Sequence, residues 1–241
     1  MPVYLLDNEL AFPSPEDANE EGIVAVGGDV SPERLLVAYR SGIFPWPARG
    51  YPLLWFSPDP RFALTPSRAH VSRSLRKVIR KGQLRVTADT AFEDVITACA
   101  AVPRPHQSGT WITPELREGY RGLHELGYAH SIEAWREDEL VGGLYGVALG
   151  NTFAGESMFA SEPDASKVAF TTLLGHLAMW GFRIVDCQVH TEHLARFGAS
   201  MWPRDRFLSE WRVAVDEPSI LAPWELTLSP IEALDRLQSD V

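Results

Sequence analysis

The stretch between residues 43 and 61 most constrains how this chain folds. Ile43-Phe44-Pro45-Trp46-Pro47 and Leu54-Trp55-Phe56-Ser57-Pro58-Asp59-Pro60-Arg61 set proline beside aromatic residues twice. Proline removes a backbone donor and drives its predecessor out of the helical region, so neither segment can be a helix interior. The chain is expected to divide here, into a small N-terminal α/β domain over 1–62 and a larger domain over 63–241. The smaller part holds one clear helix: Ser31 as N-cap, Pro32 at the first helical position, Leu35, Leu36 and Tyr39 as the apolar face, and Gly42 as the stop. Around that helix the reading is of loops, whose tryptophans serve as core plugs or as flat stacking surfaces. Gly27-Gly28-Asp29 lacks the spacing and the lysine of a phosphate loop and reads as a turn.

With 241 residues, 45% of them hydrophobic, the chain can bury a substantial core, which excludes disorder as its main theme. Met1 to Asp7 offers no basic n-region, and no window approaches the roughly 18 uncharged apolar residues of a membrane span. A cytoplasmic location without a membrane partner is the expectation. Cys99 and Cys187 are too far apart for a Cys-x-x-Cys pair, and His190-x-x-His193 lacks a third ligand. Neither a disulfide scaffold nor a metal site is expected.

The formal net charge of -10 hides an asymmetry. From Arg61 to Arg85 there are eight basic residues and no acid. An acidic protein repels phosphate, so a concentrated basic segment is what would hold a nucleic acid locally. Val71, Leu75, Val78 and Ile79 recur there at helical spacing, while Arg73, Arg76, Lys77, Arg80 and Lys81 stand apart from that face and Gly82 ends the helix. The same pattern also suits an ordinary solvated helix face.

Beyond the basic helix the pattern gives a strand over 84–87 and helices over 91–101 and from Thr113-Pro114 to Gly127, with a loop over 103–110 between them. Two strands (129–135 and 139–148) follow, then a Gly150-Asn151 turn into a third (152–159). A long helix over 164–180, a strand over 183–189 and a short helix over 191–197 complete it. This order is α+β and resembles the N-acetyltransferase (GNAT) fold, in which a splayed sheet leaves a cleft between its central strands. The glycine-rich loop that takes a coenzyme A pyrophosphate in that fold is missing. Ala160-Ser161-Glu162-Pro163-Asp164-Ala165-Ser166 stands in its place, without glycine and with two acids. A coenzyme A-dependent N-acetyltransferase is therefore only the alternative reading.

In Val185-Asp186-Cys187-Gln188-Val189, strand parity sends Asp186 and Gln188 the same way out of an otherwise apolar strand, and Cys187 the other way into the core. Glu156 is a second acid in an apolar strand, and the fold order puts both strands beside one cleft. Buried acids and amides demand partners, so a structural role in caps or ion pairs competes with a functional one.

Six motifs carry a resemblance over roughly residues 10 to 210: Gly42-Ile43-Phe44-Pro45-Trp46, Trp55-Phe56-Ser57-Pro58, Gly109-Thr110-Trp111-Ile112-Thr113, Gly155-Glu156-Ser157-Met158-Phe159, Asp164-Ala165-Ser166-Lys167 and Asp186-Cys187-Gln188. Together they resemble the bacterial leucyl/phenylalanyl-tRNA–protein transferase family. The resemblance implies a small N-terminal domain joined to a GNAT-like domain. It also implies transfer of Leu or Phe, with Met as a third candidate, from aminoacyl-tRNA to the α-amine of proteins beginning with Arg or Lys. Such proteins are thereby marked for N-terminal-residue-dependent degradation. No cofactor and no DNA partner is implied. Trp46 and Trp111 would pack the terminal adenosine of the tRNA, and Leu144, Phe153, Met158, Phe170 and Val185 would line the aminoacyl pocket. Glu156 and Asp186 would meet the acceptor. Asp186 would orient the amine and take its proton late, while Gln188 fixes geometry or supports the developing charge. The basic helix would hold tRNA phosphates.

Overall fold

The computed structural model describes residues 3–47, 50–102 and 110–239. The loop expected over 103–110 lies, except for Thr110, outside them. In the N-terminal part the helix α1 (Pro32–Arg40) forms as its cap predicts, Ser31 accepting from the Arg34 N–H at 3.4 Å. The segments around it are not only loops. Strands β1 (Tyr4–Leu6), β2 (Ile23–Gly27), β3 (Phe44–Pro45) and β4 (Leu54–Phe56) pair in the order β1-β2-β4-β3. Prolines at strand ends and edges left room for sheet pairing where they forbade helix. Trp55 is a core plug, fully buried with its Nε1–H donated to the Gly27 carbonyl at 2.9 Å.

A second sheet organises the rest. Its strands are β5 (Arg61–Leu64), β6 (Arg85–Ala88), β7 (Ala129–Arg136), β8 (Glu139–Leu149), β9 (Thr152–Ala160), β10 (Ile184–Gln188) and β11 (Ser200–Trp202), in the order β11-β5-β10-β9-β8-β7-β6. Between and after them run α2 (Arg73–Arg80), α3 (Phe92–Ala101), α4 (Pro114–Glu125), α5 (Ala165–Met179), α6 (Glu192–Ala195), α7 (Arg204–Val215) and α8 (Pro230–Ser239). The architecture is α+β. The boundary expected after residue 62 falls inside β5, because Arg61 already pairs with Trp202 of β11. One apolar core joins Leu35, Tyr39 and Trp55 to Val95, Cys99 and Tyr120 of α3 and α4 and to Phe207 and Trp211 of α7. A second core gathers α2, α5 and α8 with Phe153 and Trp224. No helix among the described residues is long and apolar enough to cross a membrane.

Two features aim this frame at one place. First, β9 and β10 are parallel but pair only from Ile184–Thr152 to Asp186–Ala154. Past that point β9 stays with β8 while β10 stays with β5 as far as Gln188, and the two part. Second, α1 and α4 touch closely. A Cβ on Gly119 would lie 2.2 Å from the Val30 carbonyl oxygen, and one on Gly122 2.5 Å from Pro32, so only glycine admits this approach. It brings the hydroxyls of Tyr39 and Tyr120 to 2.8 Å from each other.

Candidate active site

Where β9 and β10 separate, a cavity of about 490 Å³ opens, a size suited to a small ligand. Its polar edge is Glu156, Asp186 and Gln188, and each carboxylate is positioned by a strand irregularity. Between β8 and β9, Tyr145 faces Ser157 and Gly146 faces Gly155, so Glu156 is the extra residue of a bulge. Between β5 and β10, Asp186 faces Ala63 and Gln188 faces Phe62, leaving Cys187 unpaired, and Gln188 adopts φ 63°. Bulges re-aim side chains, and here they replace the plain alternation expected from sequence. Asp186 and Gln188 line the cavity as expected, but Cys187 lines it too. Its thiol is buried, which pushes its pKa well above the ordinary value and suits a core thiol rather than a nucleophile.

The hydrogen bonds along this edge form one network. Both Asp186 oxygens accept from the Arg61 guanidinium, Oδ1 from Nε at 2.8 Å and Oδ2 from Nη2 at 2.6 Å, and Oδ1 also accepts from the Gln188 N–H at 2.9 Å. Arg61 is itself buried, its guanidinium 4.6 Å from the Phe44 ring centre and 4.7 Å from that of Phe207. Gln188 Nε2 donates to Glu156 Oε1 at 2.8 Å. Tyr120 donates to Glu156 Oε2 at 2.7 Å, which leaves Tyr39 to donate to Tyr120. Burial raises Glu156 to about 7, opposed by the hydrogen bond from Tyr120, which Tyr39 backs, and reinforced by the Asp186 charge. Burial likewise holds both tyrosines well above their ordinary value, so they remain donors.

Leu144, Met158, Phe170 and Val185 form an apolar wall of the same cavity, and half-buried Trp46 and Trp111 line it as well. Phe153 does not. It sits fully buried in the second core, 6.1 Å from Trp224, because its place on β9 sends it away from the cleft. The basic helix is α2, with Leu75 and Ile79 buried and Arg73, Lys77, Arg80 and Lys81 exposed. Arg80 is paired with Asp235 at 3.1 Å, and half-buried Arg76 donates its Nε–H to the Val71 carbonyl. The chain enters α2 through His70, whose N–H donates to Phe197, three residues past the cavity-lining Leu194. No group of three metal-ligating side chains occurs among the described residues.

Sequence reasoning missed Arg61, Tyr39 and Tyr120. Arg61 stands in the sequence as a lone charge heading the apolar strand Phe62-Ala63-Leu64, whereas an apolar helix face, as read for Tyr39, does not record where a hydroxyl points.

Comparison with known proteins decides the family. Residues 63–212 match the model described as leucyl/phenylalanyl-tRNA protein transferase, and residues 28–59 match that of its N-terminal domain. The chain belongs to this family. A leucyl/phenylalanyl-tRNA–protein transferase of Myxococcus xanthus is 60% identical over 226 residues, covering 93% of this chain and 97% of the relative. One from Anaeromyxobacter sp. strain Fw109-5 is 57% identical, covering 94% and 96%. One from Magnetococcus marinus is 53% identical, covering 96% of this chain and all of the relative. The chain is an aminoacyltransferase, and the acetyltransferase alternative is not favoured. Its long helix α5 is preceded by Asp164, in the left-handed region and paired with Lys167, where a pyrophosphate would meet a carboxylate.

Proposed function

We propose that this protein moves Leu or Phe, with Met as a third candidate, from aminoacyl-tRNA to the N-terminal α-amine of proteins beginning with Arg or Lys. The product is thereby marked for N-terminal-residue-dependent degradation in the cytoplasm. The observation that carries this reading is one cavity bordered by an apolar wall, an acid–amide edge and two tryptophans. Each border suits one part of the reaction. The wall of Leu144, Met158, Phe170 and Val185 takes the donor side chain, and its Met and Leu adapt to either Leu or Phe. Trp46 and Trp111 offer ring faces for the terminal adenine, worth about 1–3 kcal/mol per stacked base. Glu156 and Asp186 meet the cationic acceptor.

An aminoacyl ester is already activated. The work left is to hold an amine against its carbonyl, for which effective molarity supplies several kcal/mol. Gln188 suits this task. Its Nε2 is committed to Glu156, so its carbonyl oxygen remains to accept from the acceptor amine and hold the lone pair toward the ester. A GNAT-like ancestry for the larger domain is part of the same reading, supported by the parting of β9 and β10.

The test is incubation with Phe-charged tRNA and Arg-, Lys- and Ala-initiated peptides, followed by mass spectrometry. One added Phe residue on the Arg and Lys peptides is the expected result. Unmodified peptides would remove the proposal, and acetylation in a parallel reaction with acetyl-coenzyme A would favour the alternative.

A further inference from the structure

We infer that Glu156, and not Asp186, receives the proton shed by the acceptor amine, and that Arg61 is a positioning residue that withholds Asp186 from that task. The inference rests on the transfer reaction proposed above and assigns its proton path.

The geometry separates the two carboxylates. Asp186 is 1% exposed and gives both oxygens to Arg61, with Oδ1 also accepting the Gln188 N–H. A proton placed on Asp186 would strip the buried Arg61 guanidinium, also 1% exposed, of its only ion-pair partner among the described residues. Phe44 and Phe207 bracket that guanidinium and leave it little room to turn elsewhere. Asp186 is thus committed to Arg61 and to the backbone N–H of Gln188, which stands at φ 63°.

Glu156 is placed differently. Each of its oxygens accepts one hydrogen bond, from Gln188 Nε2 or from the Tyr120 hydroxyl, and each keeps a second lone pair. No cation pairs with it among the described residues, so a proton there strands no partner. The groups facing it are Tyr120 on α4, Tyr39 on α1 behind Tyr120, Tyr145 on β8 against the Tyr120 ring, and Asp186 and Gln188 on β10. All are neutral except Asp186, whose charge Arg61 offsets. The raised proton affinity of Glu156 agrees with this placement, since a base near 7 matches an amine of ordinary value about 8 better than a carboxylate near 4 does.

The step balances. The amine nitrogen bonds to the ester carbonyl carbon, and its proton passes to Glu156. As the tetrahedral intermediate collapses, the bond from that carbon to the ribose oxygen breaks, and Glu156 returns the proton to this oxygen. The carboxylate is regenerated.

The test is kcat/KM against pH between 5 and 8.5, with Phe-tRNA saturating and an Arg-initiated peptide varied. Below pH 7 the free amine and Glu156 must both lose a proton, so log kcat/KM rises with slope 2 in the wild type. Glu156→Gln is expected to lower kcat/KM by about 10²–10⁴-fold and reduce the slope to 1. Asp186→Asn and Arg61→Lys lower the rate but keep slope 2. Tyr120→Phe removes a hydrogen bond that lowers Glu156 and moves the inflection to higher pH. Slope 2 in Glu156→Gln overturns the inference, as does slope 1 in a folded Asp186→Asn protein. If Asp186→Asn fails to fold, Glu156→Gln and Tyr120→Phe still decide. Absence of product from the wild type would sink the transfer reaction itself, whereas product with the wrong slopes sinks only the proton path.

Discussion

Glu156 is held in a place that opposes its ionisation, and this has a thermodynamic signature apart from catalysis. Burial raises it from 4.5 to about 7 in the folded protein. The folded state therefore binds more protons than the unfolded state between those values. Its contribution is fully present below pH 4.5 and is lost as the pH climbs through 7. Each pKa unit is about 1.4 kcal/mol, so the loss approaches about 3 kcal/mol. Glu156→Gln is neutral at every pH and escapes it. Urea denaturation of both proteins at pH 4.5 and pH 8 is expected to show the variant gaining up to about 3 kcal/mol relative to wild type. An unchanged difference would mean that Glu156 titrates normally. Sequence reading found this acid because an apolar strand makes a lone carboxylate conspicuous. It could not find Arg61 as the partner of Asp186, because 125 positions separate them and strand alternation does not record a bulge.

At the scale of elements, helices were the most legible, since caps and 3.6-residue spacing are local. Ser31 and Thr113, where the sequence starts two helices, each accept the N–H of an N-cap, and Ser72, which the sequence reading did not single out, does the same for α2. The resemblance stops near residue 210, yet residues 218–239 complete the second core. Trp224 stacks on His130 with ring centres 3.6 Å apart and donates its N–H to Asp89, and Leu234 and Leu237 of α8 are buried. A local signal did exist: Ser229 and Glu232 exchange the reciprocal bonds of a capping box ahead of α8. The segment is tied to α5 by buried His176, whose Nδ1–H goes to the Thr172 carbonyl and whose Nε2 accepts the Leu228 N–H at 3.0 Å. Burial lowers the pKa of His176 below 6.5, so the unfolded chain binds a proton that the folded one refuses. This part of the stability is present above pH 6.5 and is lost as the pH falls toward the lowered value. Protonation also removes the acceptor that Leu228 needs. Faster amide exchange at Leu228 on going from pH 7.5 to 5.5, corrected for intrinsic exchange, is the expected outcome. His176→Gln, which keeps a neutral acceptor, is expected to flatten that dependence, whereas equal dependence in both proteins would assign it to His130 or another group.

At the scale of the whole molecule, the question is how a chain of net charge -10 holds a polyanion. The α2 segment is the proposed answer, and its side chains are not equivalent. Arg80 is engaged with Asp235 and Arg76 spends its Nε on Val71, while Arg73, Lys77 and Lys81 are exposed with no ion pair among the described residues. These three are the phosphate contacts proposed first, in a segment that starts beside the α6 edge of the cavity. Each phosphate contact releases counterions and contributes about 0.7–0.9 to the slope of log affinity against log salt, taking DNA values for RNA. Replacing Arg73, Lys77 and Lys81 together by Gln is therefore expected to flatten that slope by about 2–3. Replacing Arg76 and Arg80 is expected to change it less, because an ion pair with Asp235 already neutralises one of them. Phosphate contacts carry little sequence information, so Leu and Phe tRNAs should weaken alike. The cavity proposed for the aminoacyl group is lined by none of these residues, so transfer from a short aminoacyl-adenosine lacking the tRNA body should continue at nearly the wild-type rate. Filter-binding titrations across 50–300 mM salt, paired with the mimic assay, check both halves. Loss of transfer from tRNA and mimic alike would show that α2 supports the fold instead, and an unchanged slope would move the tRNA to another face of the molecule.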